Sequence, residues 1–195
     1  MIPPQLKETI LAVAEFSAEE MEFIGQCFIS REFRPKEHIL LQGNKSKEIY
    51  FIVSGLVRAY HIKKAKEVTT YLSGDGDFIS SYAAFITQTP SLEFIQCIEA
   101  THTLSISYDR MQELYDRIPG WQLVGRVLTE RNFLCMAKRV LELHSSSAKE
   151  KYLDFIQHAP AKVAQRTPLI YVASFLGIVP ESLSRIRREI TSKNS

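Results

Sequence analysis

The sequence predicts an α+β chain in which an N-terminal jelly-roll-like β-roll is followed by one long helix and by a small helical unit ending in a helix-turn-helix. Three observations predict it. Short β-branched runs separated by turn signals fill the stretch from about Arg34 to Ser107. Apolar spacing changes to a helical period after Pro119. From Leu169 to Arg188, small, glycine and apolar residues fall where two crossing helices need them. A chain of 195 residues, 45% hydrophobic and 24% charged, can bury a core in one or two domains without disulfides or a structural metal.

A short helical stretch, Ala18 to Ile29, precedes the β-rich region. The runs there are His38 to Leu41, Ile49 to Val53, Val57 to Ile62, Val68 to Leu72, Phe94 to Ile98 and Thr103 to Ile106. Gln42-Gly43-Asn44, Ser54-Gly55, Lys63 to Lys66 and Gly74-Asp75-Gly76-Asp77 supply the turns. Many short strands at this spacing argue for a sandwich or jelly-roll-like barrel, and residues 1–118 are read as one domain.

The next segment, residues 119–145, reads as one long helix. Leu123, Val127, Leu134, Ala137 and Leu141 follow alternating steps of three and four, with Phe133, Met136, Val140 and Leu143 as a second stripe beside them. Two apolar faces predict two partners, the chain's own β domain and a second helix, as in a dimer. Ser145-Ser146-Ser147 then breaks the pattern and caps a helix from Ala148 to Gln157, so the last domain spans residues 146–195.

Within that domain the segment LIYVASFLGIVPESLSRIRR carries the strongest signal. Its first helix starts near Pro168, with Val172, Ala173 and Leu176 turned inward and Ala173 small where the helices approach. Gly177 occupies the turn, where a positive φ is needed. The second helix starts at Pro180 and buries Leu183, Ile186 and Ile190, which leaves Glu181, Ser182, Arg185 and Arg188 on the open face. That face suits a major groove: Arg donates twice to guanine, and Glu accepts from the amino group of cytosine. Ser182, Ser184 and Arg187 are candidates for phosphate or base-edge contacts. The candidate DNA-binding residues are therefore Glu181, Ser182, Ser184, Arg185, Arg187 and Arg188, and the expected partner is double-stranded DNA.

Charge agrees in its distribution rather than its total. Residues 165–195 carry Arg166, Arg185, Arg187, Arg188 and Lys193 against Glu181 and Glu189, a net of +3 where the whole chain has +2. Other function classes find less support. Cys27, Cys97 and Cys135 are scattered without a CxxC pair, which argues against a disulfide framework, a thiolate metal site or an iron-sulfur cluster. His38, His61, His102, His144 and His158 lack the clustered spacing of a cupin metal site, so no metal is expected. No GxSxG, P-loop or GxGxxG occurs, and the chain is not expected to be an enzyme. The N-terminus lacks a signal-peptide pattern and no apolar run reaches about 20 residues, so a cytoplasmic protein without membrane contact is expected.

The run IYFIVSGLVRAY (Ile49 to Tyr60), the Gly74-Asp75-Gly76-Asp77-Phe78 turn, the long helix from Pro119 and PESLSRIRREI resemble, in order and spacing, the Crp/Fnr family of transcription regulators over nearly the whole chain. That resemblance implies a cyclic-nucleotide-binding-like β-roll and a homodimer on a palindromic DNA site, with an effector pocket coupled to the DNA heads and RNA polymerase as a candidate partner. The family's Glu-x-x-Ser-Arg reading motif matches Glu181, Ser184 and Arg185, which suggests a half-site related to TTGA. Two departures stand out. Pro180 occupies the position where some members have an Arg, and Gln157 to Thr167 is short for the usual pair of wing strands.

The nucleotide end departs further. In the family an Arg closes the phosphate cassette and neutralises the cyclic phosphate. Here Thr89-Pro90-Ser91-Leu92-Glu93-Phe94 has no cation, and a buried phosphate without one carries a desolvation penalty of several kcal/mol. Cyclic AMP is therefore not the expected ligand. Gly76, Asp77, Ser80, Ser81, Tyr82, Arg131 and Asn132 are the candidate lining of a pocket for an unidentified small effector. The alternatives are a filled roll that senses nothing, and a cyclic-nucleotide-binding-like regulatory module acting on a partner protein.

Overall fold

The computed structural model describes residues 2–192; Lys193, counted in the basic tail, lies outside them. Two N-terminal helices, α1 (Pro4–Leu11) and α2 (Ala18–Cys27), lead into eight strands: β1 (Ile29–Phe33), β2 (His38–Leu40), β3 (Glu48–Ser54), β4 (Leu56–Lys63), β5 (Lys66–Gly74), β6 (Phe78–Ile79), β7 (Phe94–Cys97) and β8 (Thr101–Ser107). A short helix, α3 (Tyr82–Thr87), interrupts them. Helices α4 (Tyr108–Arg117), α5 (Pro119–Ser145), α6 (Ala148–His158), α7 (Ala161–Arg166), α8 (Leu169–Leu176) and α9 (Pro180–Thr191) complete the chain. The α+β class expected from the sequence is the one observed. The N-terminal helical stretch, however, stops at Cys27, because Ile29 already pairs with Ser105 in β1.

The strands form two antiparallel four-stranded sheets, ordered β1-β8-β3-β6 and β2-β7-β4-β5. Between them lies a core of Tyr50, Ile52, Val57, Ala59, Ile79, Ile95 and Cys97, with Phe33, Ile39, Leu40 and Tyr71 packed against it. Strands β3 and β4 do not show the alternating burial of a sheet with one wet face; four or five consecutive residues of each are buried. Such strands are covered on both faces. The outer face of the first sheet carries Ile49, Phe51, Leu104 and Ile106, and it packs with α1, α2, α4 and the start of α5. The outer face of the second sheet carries Leu56 and Leu72, which pack with Phe155, Val163, Val172, Ala173, Leu176 and Leu183 of the C-terminal helices. The molecule is thus four layers deep.

Local signals explain the helix ends. Ser17 and Ser147 each accept from the backbone N–H three residues on, and Glu20 and Glu150 answer with reciprocal capping-box bonds. Helix α5 meets its own domain through Trp121 and Val124, with Leu128 beside them, and this corrects the expectation that one of the two sequence stripes would do so. Phe133, Leu134, Met136, Val140 and Leu141 of those stripes are exposed in the single chain instead. Between α6 and α8 the chain forms the short α7, which accounts for the missing room for wing strands.

Candidate nucleic-acid interface

The helix-turn-helix is built from α8, a three-residue turn and α9. Gly177 caps α8 at φ 67°, and its N–H bonds back to the Ser174 carbonyl while Ile178 N–H reaches that of Ala173. A Cβ on Gly177 would press on the Leu143 side chain of α5 at 3.2 Å, so the turn is also tied to the long helix. Pro180 takes the first position of α9, where its missing N–H costs nothing. The two helices meet at 103°, within the range of DNA-binding helix-turn-helix units. Val172, Ala173, Leu176, Leu183 and Ile186 are buried, as the spacing predicted, whereas Ile190, expected with them, is only half-buried near the end of α9.

What remains open on α9 is the polar face. Glu181, Ser184, Arg185, Arg187 and Arg188 are exposed and Ser182 is half-buried, so the six candidate residues share the side away from the core. The sole acid of the first turn, Glu181, sits at the positive end of the helix dipole. Such a helix can present an acceptor near its start and guanidinium donors one and two turns on.

The candidate effector residues fare differently. Gly76 adopts φ 83° at the turn, and its N–H bonds the Ile52 carbonyl. Burial pushes the Asp77 carboxyl above its ordinary value, against opposing hydrogen bonds from the Gly74 backbone and from the Ser73 hydroxyl, which donates at 3.3 Å. Ser80 turns to Ser46 at 3.0 Å and donates to the Glu48 carbonyl. Ser81 turns to Ser91, whose hydroxyl also accepts from Glu93 N–H at 3.0 Å. Where a phosphate would need a cation there is a closed set of hydroxyl contacts. Tyr82 does reach α5, but at Thr129, 2.7 Å away. Arg131 is exposed and Asn132 half-buried farther along α5, and no contact brings them to the serines. The seven residues therefore do not converge on one pocket. Among the described residues no three His, Cys, Asp or Glu side chains gather as a metal site, and no single helix is long and apolar enough to cross a membrane.

Residues 30–118 match the cyclic nucleotide-binding domain family. The matched stretch covers the two sheets, α3 and α4. No curated protein sequence stands out as a relative. Among solved structures, the c-di-GMP-responsive global regulator CLP of Xanthomonas campestris is 16% identical, with a TM-score of 0.71, over 91% of this chain and 93% of its own. A CooA variant from Carboxydothermus hydrogenoformans is 18% identical, with a TM-score of 0.69, over 94% and 83%. FixK2 of Bradyrhizobium japonicum is 15% identical, with a TM-score of 0.73, over 86% and 86%. At these identities the shared property is the fold.

Sequence reading missed the seam between the roll and the C-terminal helices. Arg58 of β4 is 2% exposed and donates to Gln96 Oε1 from Nε and a terminal nitrogen, at 3.0 and 2.7 Å. The same terminal nitrogen pairs with Glu67 at 2.6 Å. Ser174 of α8 accepts from Thr69 N–H at 2.9 Å and lies 3.2 Å from the Glu67 carbonyl. Arg139 of α5 donates to the Thr69 and Phe175 carbonyls. Lys162 joins Asp75 at 2.7 Å and Glu99 at 2.8 Å, and Arg166 also joins Glu99. One signal was available: an arginine in the middle of the apolar run Leu56 to Tyr60, where a strand buried on both faces tolerates a charge only with partners.

Proposed function

We propose that this chain is a sequence-specific DNA-binding transcription regulator of the Crp/Fnr type. Residues 1–118 form the roll, residues 119–145 a dimerisation helix and residues 146–195 the DNA-binding unit. Two copies pair through the exposed apolar stripes of α5 and place their α9 helices in successive major grooves of a palindromic site, about 34 Å apart. Glu181, Ser184 and Arg185 read bases, Ser182 and Arg188 flank them, and Arg187 contacts phosphate. The observation that carries this reading is α9 itself: its apolar side is spent on α8, at 103°, while Glu181, Arg185 and Arg188 are exposed on the other side. The arrangement of Ser46, Ser80, Ser81 and Ser91 supports control by something other than cyclic AMP.

Selection from a random duplex library tests it. The expected product is a palindrome with half-sites about 10 base pairs apart, bound with an affinity that falls steeply with salt. Selection without a palindrome, together with salt-independent binding, would refute the assignment.

A further inference from the structure

We propose that Arg58 and Tyr171 form a clamp that fixes the helix-turn-helix on the roll and so positions α9 for DNA reading. The inference rests on the DNA-binding reading above for its purpose, but not for its geometry. The Arg58 guanidinium lies over two rings, 3.8 Å from the centre of Tyr171 of α8 and 4.0 Å from that of Tyr60 of β4. Tyr60 in turn stacks on Phe94 of β7, with centroids 4.9 Å apart and planes inclined by 13°. The Tyr60 hydroxyl meets His38 of β2 at 2.9 Å. A single column, Tyr171, Arg58, Tyr60, Phe94, therefore runs from the first helix of the DNA-binding unit across strands β4 and β7 of the second sheet.

Three features make this column a positioning device rather than ordinary packing. First, the sheet face it stands on is dry only because the C-terminal helices cover it: Leu56 and Leu72 share a core with Val172, Ala173 and Leu176. Second, a buried guanidinium must be matched in direction as well as in burial. Its planar fork meets Gln96 and Glu67 in the sheet plane, which leaves its faces for rings and admits Tyr171 at one height and angle. Third, one terminal nitrogen of Arg58 has no protein partner. A static filler would be an apolar side chain; a charge with an orphan nitrogen makes the seam depend on its remaining contacts. Because Gly177 faces the Leu143 side chain with no room for a Cβ to spare and α8 is bonded to β5 through Ser174, any tilt of α8 carries α9 with it.

The test uses the full-length chain with Tyr171→Leu and Tyr171→Phe. Amide hydrogen exchange is followed in β5 and α8, and DNA binding is measured on the selected palindrome and on versions with its half-sites moved apart or together by one base pair. The expected result is exchange about tenfold faster in β5 and α8 for Tyr171→Leu, with β3 and β8 unchanged. That variant should bind the altered spacings nearly as well as the selected one, while half-site sequence preference is kept. Tyr171→Phe, which keeps the ring, should behave as the parent. Unchanged exchange in Tyr171→Leu would overturn the clamp, as would a Phe variant as loose as Leu. Faster exchange with unaltered spacing discrimination would overturn the positioning role. A parent protein that selects no site would instead overturn the DNA reading, and the exchange measurements would then decide the clamp alone.

Discussion

The hydroxyl of Ser81 lies 2.9 Å from that of Ser91, and both side chains are buried at the end of the roll where a cyclic phosphate would need a cation. The pair satisfies itself, and Glu93 N–H bonds to the same Ser91 oxygen. A phosphodiester anion entering here would break those contacts and gain no charge partner. Titration calorimetry with cyclic AMP should therefore show no saturable binding up to about 1 mM. Micromolar binding at this site would contradict the account of the roll.

Asp77 gives the roll a pH signature. Burial disfavours its anion and raises its pKa, against smaller opposing contributions from a backbone hydrogen bond at Gly74 and from the Ser73 hydroxyl. Folding thus favours the protonated carboxyl. That contribution is present in full below the unfolded value and is lost as pH rises through the raised folded one. Asp77→Asn removes the burden at neutral pH. Its Tm should exceed the parent's near pH 7, and the difference should shrink toward pH 4. A difference independent of pH would mean that the carboxyl is not the cause.

Arg185 is exposed on α9 one turn beyond Glu181. Arg185→Ala should weaken binding to the selected site by about 1–3 kcal/mol and relax base preference at one position of each half-site. Binding of near-parental affinity and specificity, measured by competition with single-base variants, would remove it from the reading face.

Leu141 and Phe133 of α5 are each 69% exposed in the single chain. Changing both to Glu should leave a folded monomer by sedimentation. Affinity for the palindrome should fall by at least about two orders of magnitude, because one head then binds without the other. A dimer that survives both changes would place the pairing surface elsewhere.

Gly177→Ala tests the turn. An L-residue at φ 67° costs roughly 1–2 kcal/mol, and its Cβ would also crowd Leu143. Denaturant unfolding followed at the C-terminal helices should show that loss, and an unchanged midpoint would count against the geometry described for the turn.

The elements legible in the sequence were those with a one-dimensional signature. The strand runs at Ile49 and Val57, the break at Ser145 to Ser147 and the Gly177 turn all announce themselves by period or by backbone demand, and their boundaries lie within a few residues of those observed. Strand β1 escaped because Ile29 to Phe33 carries Arg31 and Glu32 with little apolar contrast, and β6 because two residues have no period. The face of α5 that meets the roll was misread for a different reason: Trp121 and Val124 lie in its first turns on a face beside the one that Leu123 and Val127 mark, and the stripes were chosen from the longer pattern. The seam could not be read at all. Arg58 and Tyr171 are separated by most of the chain, and only the folded sheet brings them together.

The bare apolar stripe on α5 also has a consequence for dosage. While single chains predominate, the amount of paired protein grows with the square of chain concentration. On the pairing proposed above, a cell that halved its synthesis of this polypeptide would keep only about a quarter of the paired form. The regulator would then answer to its own abundance with a steepness that needs no ligand, and the rate at which its gene is expressed would itself be an input signal.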